Sequence, residues 1–206
     1  MGKLFGTDGV RGVANADLSP ELVYRLGRAG AHILGRTAAN GAPLVLIGKD
    51  TRISGDMLED SLSAGILSAG GRVVKIGVIP TPAVAYLVKT MGADCGVAIS
   101  ASHNPFEYNG IKFFNRDGYK LDDAVEEEIE ALTLRGADGV GKRAVGAELA
   151  RISRQSGEAL RAYAEYLIAG METDVRGMKL VVDCAHGASA GAARHVFEAL
   201  GAKTVY

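Results

Sequence analysis

A layered α/β fold is predicted for this chain of 206 residues, because short apolar runs typical of buried strands alternate with segments of helical periodicity. Hydrophobic residues make up 48% of the sequence and charged residues 23%, a balance typical of globular proteins with a buried core. The 28 glycines fall mainly at turns between the periodic segments. We expect one α/β domain over residues 1–150, followed over residues 151–206 by a linker helix and the beginning of a second, similar α/β domain.

The first predicted helix has the clearest local signals. Ser19 is a good N-cap residue, Pro20 suits the first turn, and apolar residues recur on one face until Gly35. The other elements of the first domain follow from apolar runs and from helical spacing bounded by glycine or proline. They are a strand at 44–47, a helix at 57–69, a strand at 73–78, a short helix from 80 to 91, strands at 97–99 and 111–114, and a helix at 122–134.

The same plan begins again after residue 150. A helix at 157–168, a strand at 178–183 and a helix at 190–200 are predicted. Residues 200–205, which lead from the end of this last helix into a strand, are similar in sequence to residues 69–74 of the first domain. The second unit would then hold about forty residues, near or below the size that folds alone. We therefore expect the chain to be a fragment of a longer protein.

The net charge, the apolar runs and the cysteines indicate which partners and which cellular compartment to expect. The formal net charge is −1 and no long basic run occurs, which argues against nucleic acid binding. No apolar run approaches the length of a membrane-spanning helix, so no membrane partner is expected. Cys95 and Cys184 each lie in an apolar run without a C-x-x-C partner, and we interpret both as reduced core thiols of a cytosolic protein.

The most informative segment for function spans residues 96–121. An apolar run at 97–99 leads into the polar residues S-A-S-H-N-P (100–105), and a second apolar run follows, with Lys112 on the opposite face of its strand. Asn109–Gly110 is predicted to form the turn between the two strands. Such a loop brings a hydroxyl, an imidazole, an amide and an ammonium group to one place, which is the inventory of an active site.

Two other interpretations of this loop are a solvated turn and a serine hydrolase. A solvated turn requires neither a histidine nor a basic residue on the returning strand. A hydrolase would need the Ser102 hydroxyl to bond the His103 imidazole, yet adjacent residues of an extended chain face opposite sides. The G-x-S-x-G motif of the α/β-hydrolases is also missing from the sequence. We therefore expect no direct bond between Ser102 and His103, and no hydrolase.

The segments S-A-S-H-N-P (100–105) and Y-N-G-I-K (108–112) resemble the phosphoserine loop of the α-D-phosphohexomutases. The opening K-L-F-G-T-D-G-V-R-G (3–12) is similar to the amino-terminal signature of one branch, the bacterial phosphoglucosamine mutases. G-K-D-T-R-I-S-G (48–55) and V-V-D-C-A-H-G-A (181–188) extend the resemblance over essentially the whole chain. The resemblance implies an α/β/α domain with a mixed sheet. It also implies an isomerase that interconverts glucosamine 6-phosphate and glucosamine 1-phosphate through a bisphosphorylated sugar.

The resemblance implies roles for four residues. Ser102 would carry a phosphoryl group, donate it to the sugar and later regain it. Arg11 and Lys112 would assist proton movement at the attacking sugar hydroxyl, and His103 would orient that hydroxyl. Because a phosphoserine brings about −1.5 to −2 charges at neutral pH, it needs cations around it. Arginine stays protonated, so an electrostatic role suits Arg11 better than acid–base chemistry. In the competing structural interpretation, Arg11 is a surface charge and Lys112 a strand-edge residue.

Magnesium is the cofactor that the resemblance implies, held by an oxygen of phosphorylated Ser102 and by three aspartates of a D-x-D-x-D loop. No D-x-D-x-D occurs in this sequence, and the acidic residues at 56, 60, 122 and 123 lie on predicted helices. The sequence therefore predicts the nucleophile without the remaining metal ligands.

A phosphosugar is the partner that the resemblance implies, in a cytoplasmic enzyme, with a homodimer left open. The motif at 3–12 favours glucosamine phosphate. There are two alternatives. One is phosphomannomutase or phosphoglucomutase activity, and the other is a non-catalytic binding module that keeps the first domain's fold. Lys49, Asp50 and Arg52 follow a predicted strand, where they would serve either as salt-bridged scaffolding or as substrate contacts.

Overall fold

The computed structural model describes residues 4–38, 41–136, 140–141 and 143–206. In this part of the chain, six α-helices and eight strands alternate along most of the sequence. The elements are β1 (Val10–Val13), α1 (Pro20–Gly35), β2 (Leu44–Lys49), α2 (Gly55–Ser68), β3 (Arg72–Val78), α3 (Thr81–Thr90), β4 (Cys95–Ile99), β5 (Tyr108–Asn115), α4 (Asp123–Leu134), β6 (Ser153–Arg154), α5 (Ser156–Ala169), β7 (Lys179–Val181), α6 (Ala190–Ala199) and β8 (Lys203–Val205). None of these described helices is long and apolar enough to cross a membrane.

Six strands form one mixed sheet in the order β1-β5-β4-β2-β3-β6. The strands β4, β2, β3 and β6 run parallel, and β5 runs antiparallel to both β4 and β1. Side chains alternate between the two faces of each strand, so that Val45 and Ile47 face one hydrophobic core and Leu46 faces another. Helices α1, α2 and α4 cover the first face, and α3, α5 and α6 cover the second. The predicted α/β/α fold with a mixed sheet is confirmed.

The helix predicted from Ser19 and Pro20 is confirmed at both ends. It spans Pro20–Gly35, and the Ser19 hydroxyl accepts a hydrogen bond from the Leu22 amide at 3.3 Å. The other predicted helices and the strands at 44–47 and 73–78 lie within a few residues of the observed ones. The short strands β1 and β6 have no counterpart among the predicted elements, because each is defined mainly by its partner in the sheet.

The turn predicted at Asn109–Gly110 is wrong. Both residues lie in β5, opposite Gly12 and Arg11 of β1. The Asn109 side chain is fully buried, where its amide nitrogen donates to the Ser54 hydroxyl at 2.9 Å and its oxygen accepts from the Gly110 amide at 2.8 Å. A Cβ at Gly110 would lie only 2.8 Å from the Ser100 carbonyl oxygen. Pairing with β1 therefore overrides the local turn preference, and the chain reverses over residues 101–107 instead.

A small βαβ unit follows the six-stranded sheet. The strands β7 and β8 are parallel and α6 connects them, which repeats the α/β plan of the first domain. Helix α5 contacts α6 as well as α3 and β3 of the first domain. Strand β6, at 153–154, pairs with β3, so residues just beyond position 150 still join the first sheet. The domain boundary near residue 150 stays a prediction.

Both cysteines are free thiols, but only one lies in a core. Cys95 is fully buried in β4, and this burial raises the pKa of its thiol. Cys184 is half-buried in the loop after β7, so its predicted place in a core strand is wrong. The apolar run that suggested a longer strand there pairs with only three residues of β8.

The close packing of α1 on α2 leads to a stability prediction. A Cβ at Gly65 would overlap the Tyr24 carbonyl oxygen, and one at Gly27 would lie 2.5 Å from the Leu62 carbonyl oxygen. Because the two helix backbones touch, Gly65→Ala should lower the free energy of unfolding by about 1–3 kcal/mol despite the better helix propensity of alanine. Urea unfolding followed by circular dichroism measures this change.

Gly157→Ala is the matched control for that substitution. Gly157 lies near the start of α5, and a Cβ there would meet nothing within 4 Å. Alanine should therefore leave the free energy of unfolding unchanged or raise it by up to about 1 kcal/mol. Equal effects of the two substitutions would contradict the helix-contact argument.

Candidate active site

Polar side chains gather where three parallel strands end. The loops after β2, β3 and β4 meet at one edge of the sheet, the usual place for ligand sites in such folds. Two cavities open there, of about 950 Å³ and about 190 Å³. The smaller is lined by Asp8, Arg11, Thr81, Ala98, Ser100, Ser102 and Lys112. The larger shares Thr81, Ser100 and Ser102, and adds His103, residues 50–53 and part of the 185–189 loop.

Ser102 therefore lies between the two cavities, and the other three residues predicted for the site line one or the other. Arg11 and Lys112 line the smaller cavity, and His103 lines the larger one. These residues come from β1, from β5 and from the loop after β4. Strand β1 is far from the other two in sequence but pairs with β5 in the sheet.

Ser102 has an unusual backbone conformation. Its φ angle is +58°, in the left-handed region that non-glycine residues rarely adopt. The Ser102 amide donates to the Ser100 hydroxyl at 3.0 Å, and that hydroxyl donates to the Asp50 carboxylate at 2.6 Å. Such a conformation costs about 1–3 kcal/mol and persists only where the surroundings hold it.

The Ser102 hydroxyl and the His103 imidazole are in contact, so the expected absence of a bond between them is wrong. The distance between Ser102 Oγ and His103 Nδ1 is 3.3 Å. The expectation assumed an extended chain, whereas the left-handed turn at Ser102 brings both side chains to the same side. In the described part of the chain, no carboxylate bonds to the imidazole, so these residues do not form a serine–histidine–aspartate triad.

Arg11 and Lys112 place positive charge at the smaller cavity. The Arg11 guanidinium lies 3.7 Å from the Asp8 carboxylate, and its buried Nε has no hydrogen-bond partner in the described structure. Lys112 Nζ lies 5.7 Å from the centre of the Phe114 ring. Strand β5 runs between β1 and β4, so Lys112 is not a strand-edge residue. Two cations beside a hydroxyl are suited to a phosphoryl group.

Arg52 binds the loop that carries Ser102. Its guanidinium donates to the backbone carbonyls of Ser102, Asn104, Pro105 and Tyr108, at 2.7–3.0 Å. Its Nε donates to the Asp50 carboxylate at 3.0 Å. Asp50 and Arg52 are therefore scaffolding, the first of the two interpretations left open for this segment. These contacts could not be predicted from the sequence. Every residue has a backbone carbonyl, so the residue types do not show which carbonyls bind Arg52.

Lys49, the last residue of β2, belongs to a separate ionic cluster with carboxylates of α2. Its ammonium lies 2.5 Å from Asp56 and 2.7 Å from Glu59, and Lys75 also binds Glu59, at 3.2 Å. Burial alone would lower the pKa of Lys49, but the hydrogen bonds to Asp56 and Glu59 outweigh it and raise that pKa. We therefore interpret Lys49 as a structural ion-pair residue rather than a substrate ligand.

The loop after β7 forms the far wall of the larger cavity. The Thr51 hydroxyl donates to the His186 carbonyl at 2.8 Å, which links the Ser102 scaffold to the βαβ unit. Ala185 and His186 both have positive φ angles, +48° and +51°. His186 contributes its backbone carbonyl here.

The residues around Ser102 do not by themselves fit a metal ion. Within the described ranges, no group of three or more histidine, cysteine, aspartate or glutamate residues could hold one. Asp50 is already bound by Arg52 and Ser100, and Asp8 lies beside Arg11. The cations at the smaller cavity favour an anion instead.

Comparisons with known proteins agree with this geometry. A model of the phosphoglucomutase/phosphomannomutase family, alpha/beta/alpha domain I, matches residues 2–139. The phosphoglucosamine mutase of Pelotomaculum thermopropionicum is 55% identical over 205 residues, which are 100% of this chain and 45% of that protein. That of Moorella thermoacetica is 55% identical over 204 residues, 98% of this chain and 45% of that protein.

A solved structure has the same fold. The crystal structure of a phosphoglucomutase/phosphomannomutase family protein from Burkholderia thailandensis superimposes with a TM-score of 0.79 and 25% identity. The match covers 98% of this chain and 43% of that one. The chain therefore spans less than half the length of the relatives it matches.

Proposed function

Since the chain belongs to the phosphoglucomutase/phosphomannomutase family, whose domain I model matches residues 2–139, we propose that it forms the amino-terminal part of a phosphoglucosamine mutase. The proposed reaction interconverts glucosamine 6-phosphate and glucosamine 1-phosphate through a bisphosphorylated sugar. The observation that carries the proposal is the Ser102 hydroxyl, which lies between two cavities beside the cations Arg11 and Lys112. Relatives named phosphoglucosamine mutase, at 55% identity, support the amino sugar over glucose or mannose.

The proposed chemistry consists of two phosphoryl transfers, each of a different phosphoryl group. In the first step, the bond from phosphorus to Ser102 Oγ breaks and a bond to the attacking sugar oxygen forms. The sugar hydroxyl loses its proton, and Ser102 Oγ takes up a proton and becomes a hydroxyl. In the second step, Ser102 Oγ loses its proton and bonds to the phosphorus of the other phosphate. The bond from that phosphorus to the sugar oxygen breaks, and the sugar oxygen takes up a proton and leaves as a hydroxyl. Positioning and charge stabilisation are the protein's main tasks in such transfers.

The residues around Ser102 divide these tasks in the proposal. Arg11 and Lys112 stabilise the charge on the transferring group, and Lys112 also assists the proton's departure from the sugar hydroxyl. His103, 3.3 Å from Ser102 Oγ, orients the attacking hydroxyl. Arg11 acts through its charge alone because a guanidinium stays protonated.

The experiment that tests the function uses the full-length protein that carries this chain. We expect kcat/KM to be highest for glucosamine phosphates in a coupled assay that compares the 1- and 6-phosphates of glucosamine, glucose and mannose. A higher kcat/KM for glucose or mannose phosphates would assign the protein to the alternative activity. Absence of turnover on all three sugars would contradict the mutase proposal.

Magnesium is the metal we propose for the full-length enzyme, with an oxygen of phosphorylated Ser102 as the ligand that this chain supplies. Described carboxylates do not cluster around Ser102, so the other ligands would lie elsewhere in the full-length protein. The proposed compartment is the cytoplasm, in keeping with free thiols at Cys95 and Cys184. The proposed partner is a phosphosugar. Light scattering of the full-length protein would measure whether it forms a homodimer.

Residues 1–206 alone should bind magnesium more weakly than the full-length protein and show no mutase activity. Magnesium requires near-octahedral oxygen coordination, whereas Ser102 supplies at most one or two oxygens when phosphorylated. The first domain should still unfold cooperatively on heating. The buried residues of one of its cores all lie before residue 150, and the other core is completed by α5 and α6, which this chain also contains. Calorimetric titration with magnesium and the coupled assay on both proteins make the comparison. Equal affinity in the two proteins would mean that the metal ligands lie within this chain.

A further inference from the structure

The Arg52 guanidinium uses every one of its hydrogen-bond donors. Arginine has five N–H groups, and in this structure one binds the Asp50 carboxylate while four bind backbone carbonyls of the Ser102 loop. Nη2 donates to Ser102 and Asn104, at 2.8 and 2.9 Å. Nη1 donates to Pro105 and Tyr108, at 2.7 and 3.0 Å. No N–H group is left for a substrate phosphate, although Arg52 lines the larger cavity.

The backbone amide and the backbone carbonyl of Ser102 are both linked by hydrogen bonds to the ion pair of Asp50 and Arg52. The Ser102 carbonyl accepts from Arg52, and the Ser102 amide donates to Ser100 Oγ, which in turn donates to Asp50. The side chains of Asp50 and Arg52 are only 15% and 11% exposed, so water competes little for these bonds. The loop's other backbone bonds do not involve Ser102: two are local, from Asn104 to Ala101 and from Tyr108 to Pro105, and in a third the Ala14 amide donates to the Glu107 carbonyl at 2.9 Å. The left-handed conformation of Ser102 therefore depends on this pair.

We propose that Arg52 is a positioning residue for phosphoryl transfer, which holds the Ser102 oxygen in line with the sugar hydroxyl, and that Asp50 orients its guanidinium. This inference rests on the proposed function, because it assigns Arg52 a part in the same reaction. A lysine keeps the charge but has three donors on one nitrogen, so it cannot reproduce the planar fork that joins four carbonyls. The position of Ser102 thus depends on the shape of the guanidinium, and charge alone is insufficient.

The first test measures kinetics of the full-length protein with Arg52→Lys. Turnover, kcat, should fall about 100-fold with a much smaller change in KM, since a misplacement of about 1 Å costs roughly that factor. Arg116→Lys is the matched control, because Arg116 is a largely exposed arginine that pairs with Asp94 at 2.8 Å. That control should change kcat by less than about twofold. A rise in KM alone for Arg52→Lys would make Arg52 a substrate-binding group and overturn the proposal.

The second test measures loop order without reference to activity. Hydrogen exchange read by mass spectrometry should be faster in Arg52→Lys for the peptide that covers residues 101–108, and unchanged in peptides from α1 and β3. If the wild-type protein lacks mutase activity, the proposed function fails, while this measurement still decides whether Arg52 orders the loop. Unchanged exchange, or faster exchange with normal kcat, would each overturn the positioning role.

Asp50→Asn is the second variant, in case Arg52→Lys does not fold. It keeps an acceptor for the Ser100 hydroxyl and for Arg52 but removes the charge that orients the guanidinium. The expected fall in kcat is smaller, about tenfold, with the same peptide showing faster exchange. Normal kcat and normal exchange in this variant would contradict the role given to Asp50.

Discussion

Ser102→Ala is expected to lower the turnover of the proposed full-length mutase at least about a thousandfold, because it removes the atom that would carry the phosphoryl group. The free energy of unfolding should change little. The hydroxyl contacts His103 at 3.3 Å on an exposed loop, while the backbone bonds of Ser102 remain in the variant. A coupled assay measures turnover, and intact-protein mass spectrometry should find one phosphate fewer in the variant.

Ser61→Ala is the matched control. The Ser61 hydroxyl donates to the Met57 carbonyl within α2 and lines neither of the two cavities at Ser102. Turnover and phosphate content should therefore stay normal. Near-normal turnover of Ser102→Ala would show that another group accepts the phosphoryl group, and the assignment of the nucleophile would fail.

Lys112→Ala and Arg11→Ala should each lower kcat about 100- to 1,000-fold, with a smaller effect on KM. Both cations face the cavity that Ser102 lines, and they act most strongly when charge shifts during transfer. The Lys112 ammonium lies over the Phe114 ring. Among the residues that the structure describes, the ionic contact of the Arg11 guanidinium is a 3.7 Å one with Asp8, so both charges remain available to a phosphoryl group. Steady-state kinetics of the full-length protein separate the two parameters.

Charge-preserving variants show which property of each residue matters. Arg11→Lys should keep more activity than Arg11→Ala, because the proposed role of Arg11 is electrostatic. Lys89→Ala is the control for loss of an exposed lysine, at the last turn of α3, and should leave kcat unchanged. If both alanine variants at the site raise only KM, Arg11 and Lys112 are binding groups and their proposed roles are wrong.

The predicted parts of the fold depend on interactions between neighbouring residues. Helix α1 could be predicted to the residue, because its cap and its amphipathic face are determined within one short segment. Strand β2 could be predicted because parallel strands buried on both faces are apolar throughout. The turn at Asn109–Gly110 could not, because burial of Asn109 against Ser54 and pairing with β1 involve residues far away in the chain.

In the candidate site too, some properties follow from the sequence and others only from the fold. The sequence alone determined which chemical groups the site has: the hydroxyl of Ser102, the imidazole of His103 and the two cations, since motifs record residue types at fixed spacing. Only the tertiary structure decided how they meet. The bond from Ser102 to His103 requires a left-handed φ angle at Ser102, and that angle is held by a guanidinium about fifty residues earlier. Backbone carbonyls, which every residue possesses, form the Arg52 contacts, so only the folded chain reveals them.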